Sequence, residues 1–176
     1  SPVEDQGVLG SCVGNAVAGA IELLEVKRLA KHTDISRLFI YYHARAYINE
    51  IRNDSGAYIR DGIKAIRKTG AAREDLWPYV IDKFDDKPSP EAYADAADRK
   101  FKAYYRVLTL NAMLNALSYG YPVVFGFTVY SSFMTDWVAR TGEMSMPKRG
   151  DREEGGHAVL AVGYDKKKEH IICRNS

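Results

Sequence analysis

Apolar positions set the first element. Cys12, Ala16, Val17, Ala20, Ile21 and Leu24 recur at spacings of three and four, which predicts a helix from about residue 11 to residue 31. Its early turns hold Gly14, Ala16, Ala18, Gly19 and Ala20. Small residues on every side predict a helix packed closely on several neighbours, hence a central one. Residues 1–10, punctuated by Pro2, Gly7 and Gly10, read as an extended entry. A second helix starts at Ser36, a good N-cap, and carries Phe39, Ile40, Tyr42, His43, Ala46 and Tyr47. A third covers residues 57–69, with Ile59, Ile63 and Ile66 as its stripe and Gly70 as its stop. Pro78, Pro88 and Pro90 then mark an irregular connection to a polar segment, residues 91–102.

The second half has a different period. A short helix over residues 111–119 ends at Gly120, and residues 122–129 form a dense apolar strand. After a polar loop, residues 157–164 and 169–174 read as two strands joined by a turn at 165–168. Helices first and strands later predict an α+β fold in two subdomains, 1–103 mainly helical and 104–176 mainly β, with a cleft between them.

Composition narrows the function. An apolar fraction of 46% and 12 tyrosines suit a packed globular chain. The net charge is +2, which gives no electrostatic reason to expect nucleic acid or an anionic membrane as partner. The basic run 166–168 reads as a solvated turn. No stretch of about 18 apolar residues is present. Two cysteines, Cys12 and Cys173, cannot make a disulfide framework, so the fold rests on packing and the compartment stays open. No metal-ligand spacing occurs among His and Cys, and neither metal nor cofactor is expected.

Thiol catalysis needs a thiolate, and a helix N-terminus or a nearby imidazolium supplies it. Cys12 sits at the predicted start of the Gly/Ala-rich helix. A lone cysteine is more often a small buried residue; its neighbours decide otherwise. They read Gln6-Gly7-Val8-Leu9-Gly10-Ser11-Cys12. Downstream stand Gly155-Gly156-His157-Ala158-Val159-Leu160-Ala161-Val162-Gly163-Tyr164 and then Arg174-Asn175-Ser176. These strings resemble the papain-like cysteine peptidases: a glutamine six positions before the nucleophile, the histidine strand, and the start of the asparagine motif. Asp54-Ser55-Gly56 and Trp77-Pro78-Tyr79 resemble the family's glycine-rich cleft wall and its tyrosine-bearing turn. His157 lies 145 positions after Cys12 (157 − 12), within the window of roughly 130–150 for this family. Asn175 lies slightly beyond it.

The resemblance implies a papain-like two-subdomain fold and hydrolysis of peptide bonds through an acyl-thioester. Cys12 is the implied nucleophile, His157 its base and acid, Asn175 the residue that orients His157, and Gln6 an oxyanion donor. Glycines 155 and 156 before the histidine leave room for a substrate backbone. Ser55, Gly56, Tyr58, Gly126, Gly155, Gly156 and Ala158 are the implied substrate-binding residues. Four small residues and an apolar Tyr58 face predict a pocket for a bulky apolar side chain, with Glu153 and Glu154 as the alternative, recruiting Arg or Lys. A peptide or protein substrate is the expected partner, and an inhibitory propeptide or a protein inhibitor a further one. A transpeptidase or deamidase with the same triad, and a protease fold kept as a binding module, are the rival readings.

Departures from the pattern are informative. Leu9 replaces a cysteine found in many relatives, which removes a disulfide and points to bacterial or intracellular relatives. Val13 replaces the usual aromatic residue after the nucleophile. The family's tryptophan after Asn-Ser, its further strands and its propeptide are not within these 176 residues. Of the remaining side chains, Cys173 and His43 are expected to be packing residues, His170 to be exposed, and His32 to favour a helix end.

Overall fold

The computed structural model describes residues 2–176. Six helices and three strands follow in the order α1 (Cys12–Leu29), α2 (Arg37–Ala46), α3 (Ile59–Lys68), α4 (Pro90–Ala96), α5 (Leu110–Ser118), β1 (Val123–Tyr130), α6 (Asp136–Thr141), β2 (Glu153–Asp165) and β3 (His170–Arg174). A 3₁₀ turn, Ile81–Lys83, interrupts the connection before α4. The α+β expectation holds.

Helix α1 is the axis of the molecule. Val13 to Glu22 are buried without a break, so this helix has no solvent face over its first three turns. Such a helix must be covered on all sides, and its small residues permit it. A Cβ on Gly14 would lie 2.6 Å from the carbonyl oxygen of Arg37 in α2. One on Gly19 would lie 2.8 Å from the Arg174 guanidinium. Val13, Val17 and Ile21 pack with Ile35, Ile40 and Ile66 on the helical side and with Ala158 of β2 on the other. Ser36 caps α2 by accepting from the N–H of Phe39 at 3.1 Å.

The sheet is antiparallel in the order β1-β2-β3. Its central strand carries the histidine, with Phe127↔His157 and Gly126↔Ala158 in register against β1. Val159, Leu160 and Ala161 of β2 are buried, and α5 covers part of the sheet through Leu117, which packs with Val123 and Ala161.

The polar loop after β1 contains α6, which the apolar pattern misses. Thr135 caps it and Gly142 ends it in the left-handed region, so local capping builds this helix without any buried face. Most of α4 falls within the polar segment 91–102; Ser89 and Pro90 start it, and it buries Ala92 and Ala96. Cys173 is a correction. Expected in the core from its alternation with Ile171, it is exposed, because β3 is an edge strand and Ile172 beside it is also uncovered. His43 is buried as expected, against the Phe39, Tyr42 and Tyr93 rings.

Candidate active site

Cys12 is the first residue of α1. A helix start presents free N–H groups, and the Val13 N–H bonds the thiol, as does the N–H of Ala158 from β2. Burial pushes this thiol up. The hydrogen bond from His157, these N–H groups and the imidazole charge outweigh it, so the thiol stands below its ordinary value. His157 moves the opposite way. Its bond to Cys12 raises it most, burial lowers it, and Asn175 raises it further, for a net rise. Opposite shifts in a touching pair favour thiolate and imidazolium together.

The tautomer follows from Asn175. His157 Nε2 lies 2.6 Å from Asn175 Oδ1. An amide oxygen only accepts, so Nε2 carries a hydrogen and Nδ1 is left to face sulfur. Asn175 lies just past the end of β3 and is exposed, so this bond meets water. Phe127 and Phe133 flank the imidazole at 5.8 and 6.4 Å between ring centroids.

Gln6 sits in the loop before α1. Its Nε2 donates to Leu9 O at 2.9 Å, and its Oε1 accepts from the Ser176 hydroxyl at 2.8 Å. The carboxamide nitrogen has a second hydrogen besides the one on Leu9. A hydroxyl relay fixes the backbone here. Tyr79 Oη donates to Gln6 O at 2.8 Å. A phenol has one hydrogen, so at its 2.5 Å contact with Ser11 the serine hydroxyl is the donor. Asn15 Nδ2 completes the chain by donating to Ser11 Oγ at 3.1 Å. The Trp-Pro-Tyr turn of the sequence therefore serves the loop that enters Cys12.

The expected cleft residues fall into two groups. Gly126, Gly155, Gly156 and Ala158 line up along β1 and β2, with Gly155 at φ +138° and no protein atom within 4 Å of where its side chain, or that of Gly156, would be. Ser55, Gly56 and Tyr58 lead into α3. Tyr58 is 69% exposed as the N-cap of α3. Ile59, one residue later, is the side chain against β1: its Cδ1 lies 3.5 Å from where a Gly126 Cβ would be. The sequence pattern puts Ile59 on the apolar stripe of the third helix but not in the cleft, because a stripe does not say which strand it faces. Sequence reasoning missed Ser176 and the N–H of Ala158, for which no sequence signal exists.

Among the described residues no cluster of three His, Cys, Asp or Glu could hold a metal, and no helix is long and apolar enough to cross a membrane.

Known proteins share this arrangement of chain. The papain family cysteine protease description matches residues 1–176. An uncharacterized peptidase C1-like protein of Acanthamoeba polyphaga mimivirus is 44% identical over 98% of this chain and 58% of its own length. Pro-cathepsin H of Bos taurus is 30% identical over 100% of this chain and 52% of its own length. Xylellain, a cysteine protease from Xylella fastidiosa, has a TM-score of 0.90 and 38% identity, covering 100% of this chain and 72% of that one. The chain belongs to the papain family of cysteine proteases. It spans just over half the length of the two curated relatives named here.

Proposed function

We propose that this chain is the catalytic part of a cysteine endopeptidase that cleaves peptide bonds through an acyl-thioester on Cys12. His157 holds the thiolate as an ion pair and then protonates the leaving amine. Asn175 keeps the imidazole in the required tautomer. Gln6, through its second amide hydrogen, and the Cys12 N–H stabilise the oxyanion, a donor of this kind being worth roughly 2.7–4 kcal/mol in the transition state. One arrangement supports this reading above the rest: a lowered thiol at a helix start, bonded to a raised imidazole whose far nitrogen meets a carboxamide oxygen at 2.6 Å.

The substrate backbone lies between Gly56 on the α3 side and Gly155–Gly156 on the sheet side. The second residue before the scissile bond enters a pocket bounded by Gly126, Ala158 and Ile59, with Ser55 and Tyr58 at its outer edge. The division at residues 103/104 places the nucleophile in the helical subdomain and the histidine in the β subdomain, so the cleft opens between them. The cathepsin H relatives carry a proform in their names; an inhibitory segment occupying the same cleft is the partner we extend to this chain.

A peptidyl epoxide at pH 6 tests the proposal. It should alkylate Cys12 and spare Cys173, whose thiol the surrounding protein pushes up although the residue is exposed. Cys12→Ser should keep the fold and lose turnover by a factor on the order of a thousand or more. Equal labelling of both thiols, or turnover by the serine variant, would sink the reading.

A further inference from the structure

Two segments with different duties touch beside α1. Residues 7–11 lead into the nucleophile, and residues 54–58 form the wall that leads into α3. A Cβ on Gly10 would lie 3.1 Å from Asp54 Oδ1 and 3.5 Å from Gly56 Cα. One on Gly56 would lie 3.9 Å from Gly10 O. A side chain on Gly10 would press on the Asp54 carboxylate, and Gly56 stands at φ +71°, in the left-handed region that favours glycine. Both cysteines are free, so no disulfide joins the segments.

Hydrogen bonds join them instead. Both carboxylate oxygens of Asp54 accept from the Gly10 N–H, each at 3.0 Å. The Tyr41 hydroxyl donates to Asp54 Oδ1 and accepts from the Gly56 N–H at 3.1 Å. The chain Gly56 N–H, Tyr41 hydroxyl, Asp54 carboxylate, Gly10 N–H therefore runs from wall to nucleophile loop. Asp54 is at the surface, but its partner is not: Tyr41 is fully buried. Burial and the Asp54 contact hold the phenol far above its ordinary value, so it stays a donor. The buried Arg45 guanidinium stacks 4.1 Å over the Tyr41 ring and donates to the carbonyls of Ile51 and Asn53, which fixes the turn that presents Asp54. Leu9 packs on Tyr41 from the nucleophile side.

We propose that Asp54, acting through Tyr41, is a positioning residue that sets the distance between the substrate-bearing wall at Gly56 and the sulfur of Cys12. The proposal rests on the cysteine peptidase reading above. A peptide held along Gly56 feels the clamp. A small reagent that meets only the thiol does not. Loss of the clamp should therefore separate the two reactions, which simple loosening of the fold would not do.

The readout is the ratio of two second-order rates at Cys12, one with a peptidyl epoxide and one with iodoacetamide; it needs no turnover. Tyr41→Phe keeps the ring and its stack on Arg45 while deleting the shared hydroxyl, and should lower the ratio roughly fivefold, the worth of about one hydrogen bond. Asp54→Ala should lower it at least as much. Asp54→Asn keeps an acceptor for Gly10 and a group for Tyr41, and should restore the ratio to within about twofold of the unmodified protein. A ratio unchanged in both Tyr41→Phe and Asp54→Ala overturns the clamp, and so does equal slowing with both reagents. An unmodified chain that fails to take the epoxide overturns the peptidase reading, a separate result from one that takes it while the variants keep its ratio.

Discussion

The two sides of the cleft hold their key residues by different means. On the helical side, Cys12 begins a helix whose next ten residues are buried, and the loop before it is tied through Tyr79, Ser11, Asn15, Tyr41 and Asp54. On the sheet side, His157 stands on the central strand, but Asn175 lies beyond an edge strand and is open to water. The proposed nucleophile is fixed by depth of packing, and Asn175 by whatever anchors the end of β3. That anchor is one residue earlier. Arg174 Nη1 donates to Glu22 Oε2 at 3.0 Å, its guanidinium approaches Glu4 at 3.7 Å, and it bonds the carbonyl of Pro2. Glu22 is among the most buried side chains of α1 and also accepts from the Ile35 N–H at 3.2 Å. The less buried side thus borrows rigidity from the buried helix through one ion pair.

Breaking that pair gives the largest effect on stability. Arg174→Ala leaves the Glu22 carboxylate buried without its guanidinium partner, beside the His32 imidazole 3.8 Å away. Removing one partner of a buried pair costs about 3 kcal/mol or more, which should appear as a lowered melting temperature and denaturant midpoint. The paired change Arg174→Met with Glu22→Gln removes both charges while keeping an acceptor for the Ile35 N–H, and should recover part of the loss. If Arg174→Ala melts like the unmodified protein, the sheet side does not depend on α1 in this way.

Asn175→Ala tests the exposed bond itself. Its proposed role is orientation, so kcat should fall on the order of 10- to 100-fold while KM changes little. The pH profile carries the sign. Thiolate formation governs the acid limb of kcat/KM, and loss of the His157 proton governs the alkaline limb. Asn175 raises His157, so without it the alkaline limb should move to lower pH. A variant with full kcat and an unmoved alkaline limb would make Asn175 a bystander at the end of a strand.

The same contrast explains what was legible in the sequence. The Gly/Ala-rich pattern of α1 marks a helix without a solvent face, and Gly14 and Gly19 show why: each lies where a Cβ would strike a neighbour. Local rules also placed α2 at Ser36 and the end of α3 at Gly70, which has φ +93°. The Gln, Cys, His and Asn strings pointed to four residues that the fold brings to one end of α1 and the adjoining strands. Long-range pairings left no such trace. Nothing local in Asp54 names Gly10 as its partner across 44 positions, or in Arg174 names Glu22 across 152. Cys173 was misplaced for a related reason: alternation gives the face of a strand, and only the strand order says whether anything covers it.

The smallest predicted effect concerns the pocket to which both sides contribute. Ile59 comes from the helical side and Gly126 from the sheet side, with Ile59 Cδ1 3.5 Å from where a Gly126 Cβ would be. A pocket walled by an isoleucine and two small residues should prefer Leu over Ala at the second position before the scissile bond. At about 0.8 kcal/mol for each buried methylene, the preference should be tenfold or more. Ile59→Ala enlarges the pocket from the helical side and should reduce the preference for Leu a few-fold while favouring Phe. Gly126→Ala adds one methyl from the sheet side. That methyl would sit 3.5 Å from both His157 O and Ile59 Cδ1, so it fits without strain, and it should penalise Phe more than Leu. A peptide library varied only at that position reads all three proteins at once. Strongest cleavage after Arg or Lys would instead assign selection to Glu153 and Glu154, which lie exposed at the start of β2. If only one of the two substitutions changes the ranking, one side of the cleft sets specificity alone.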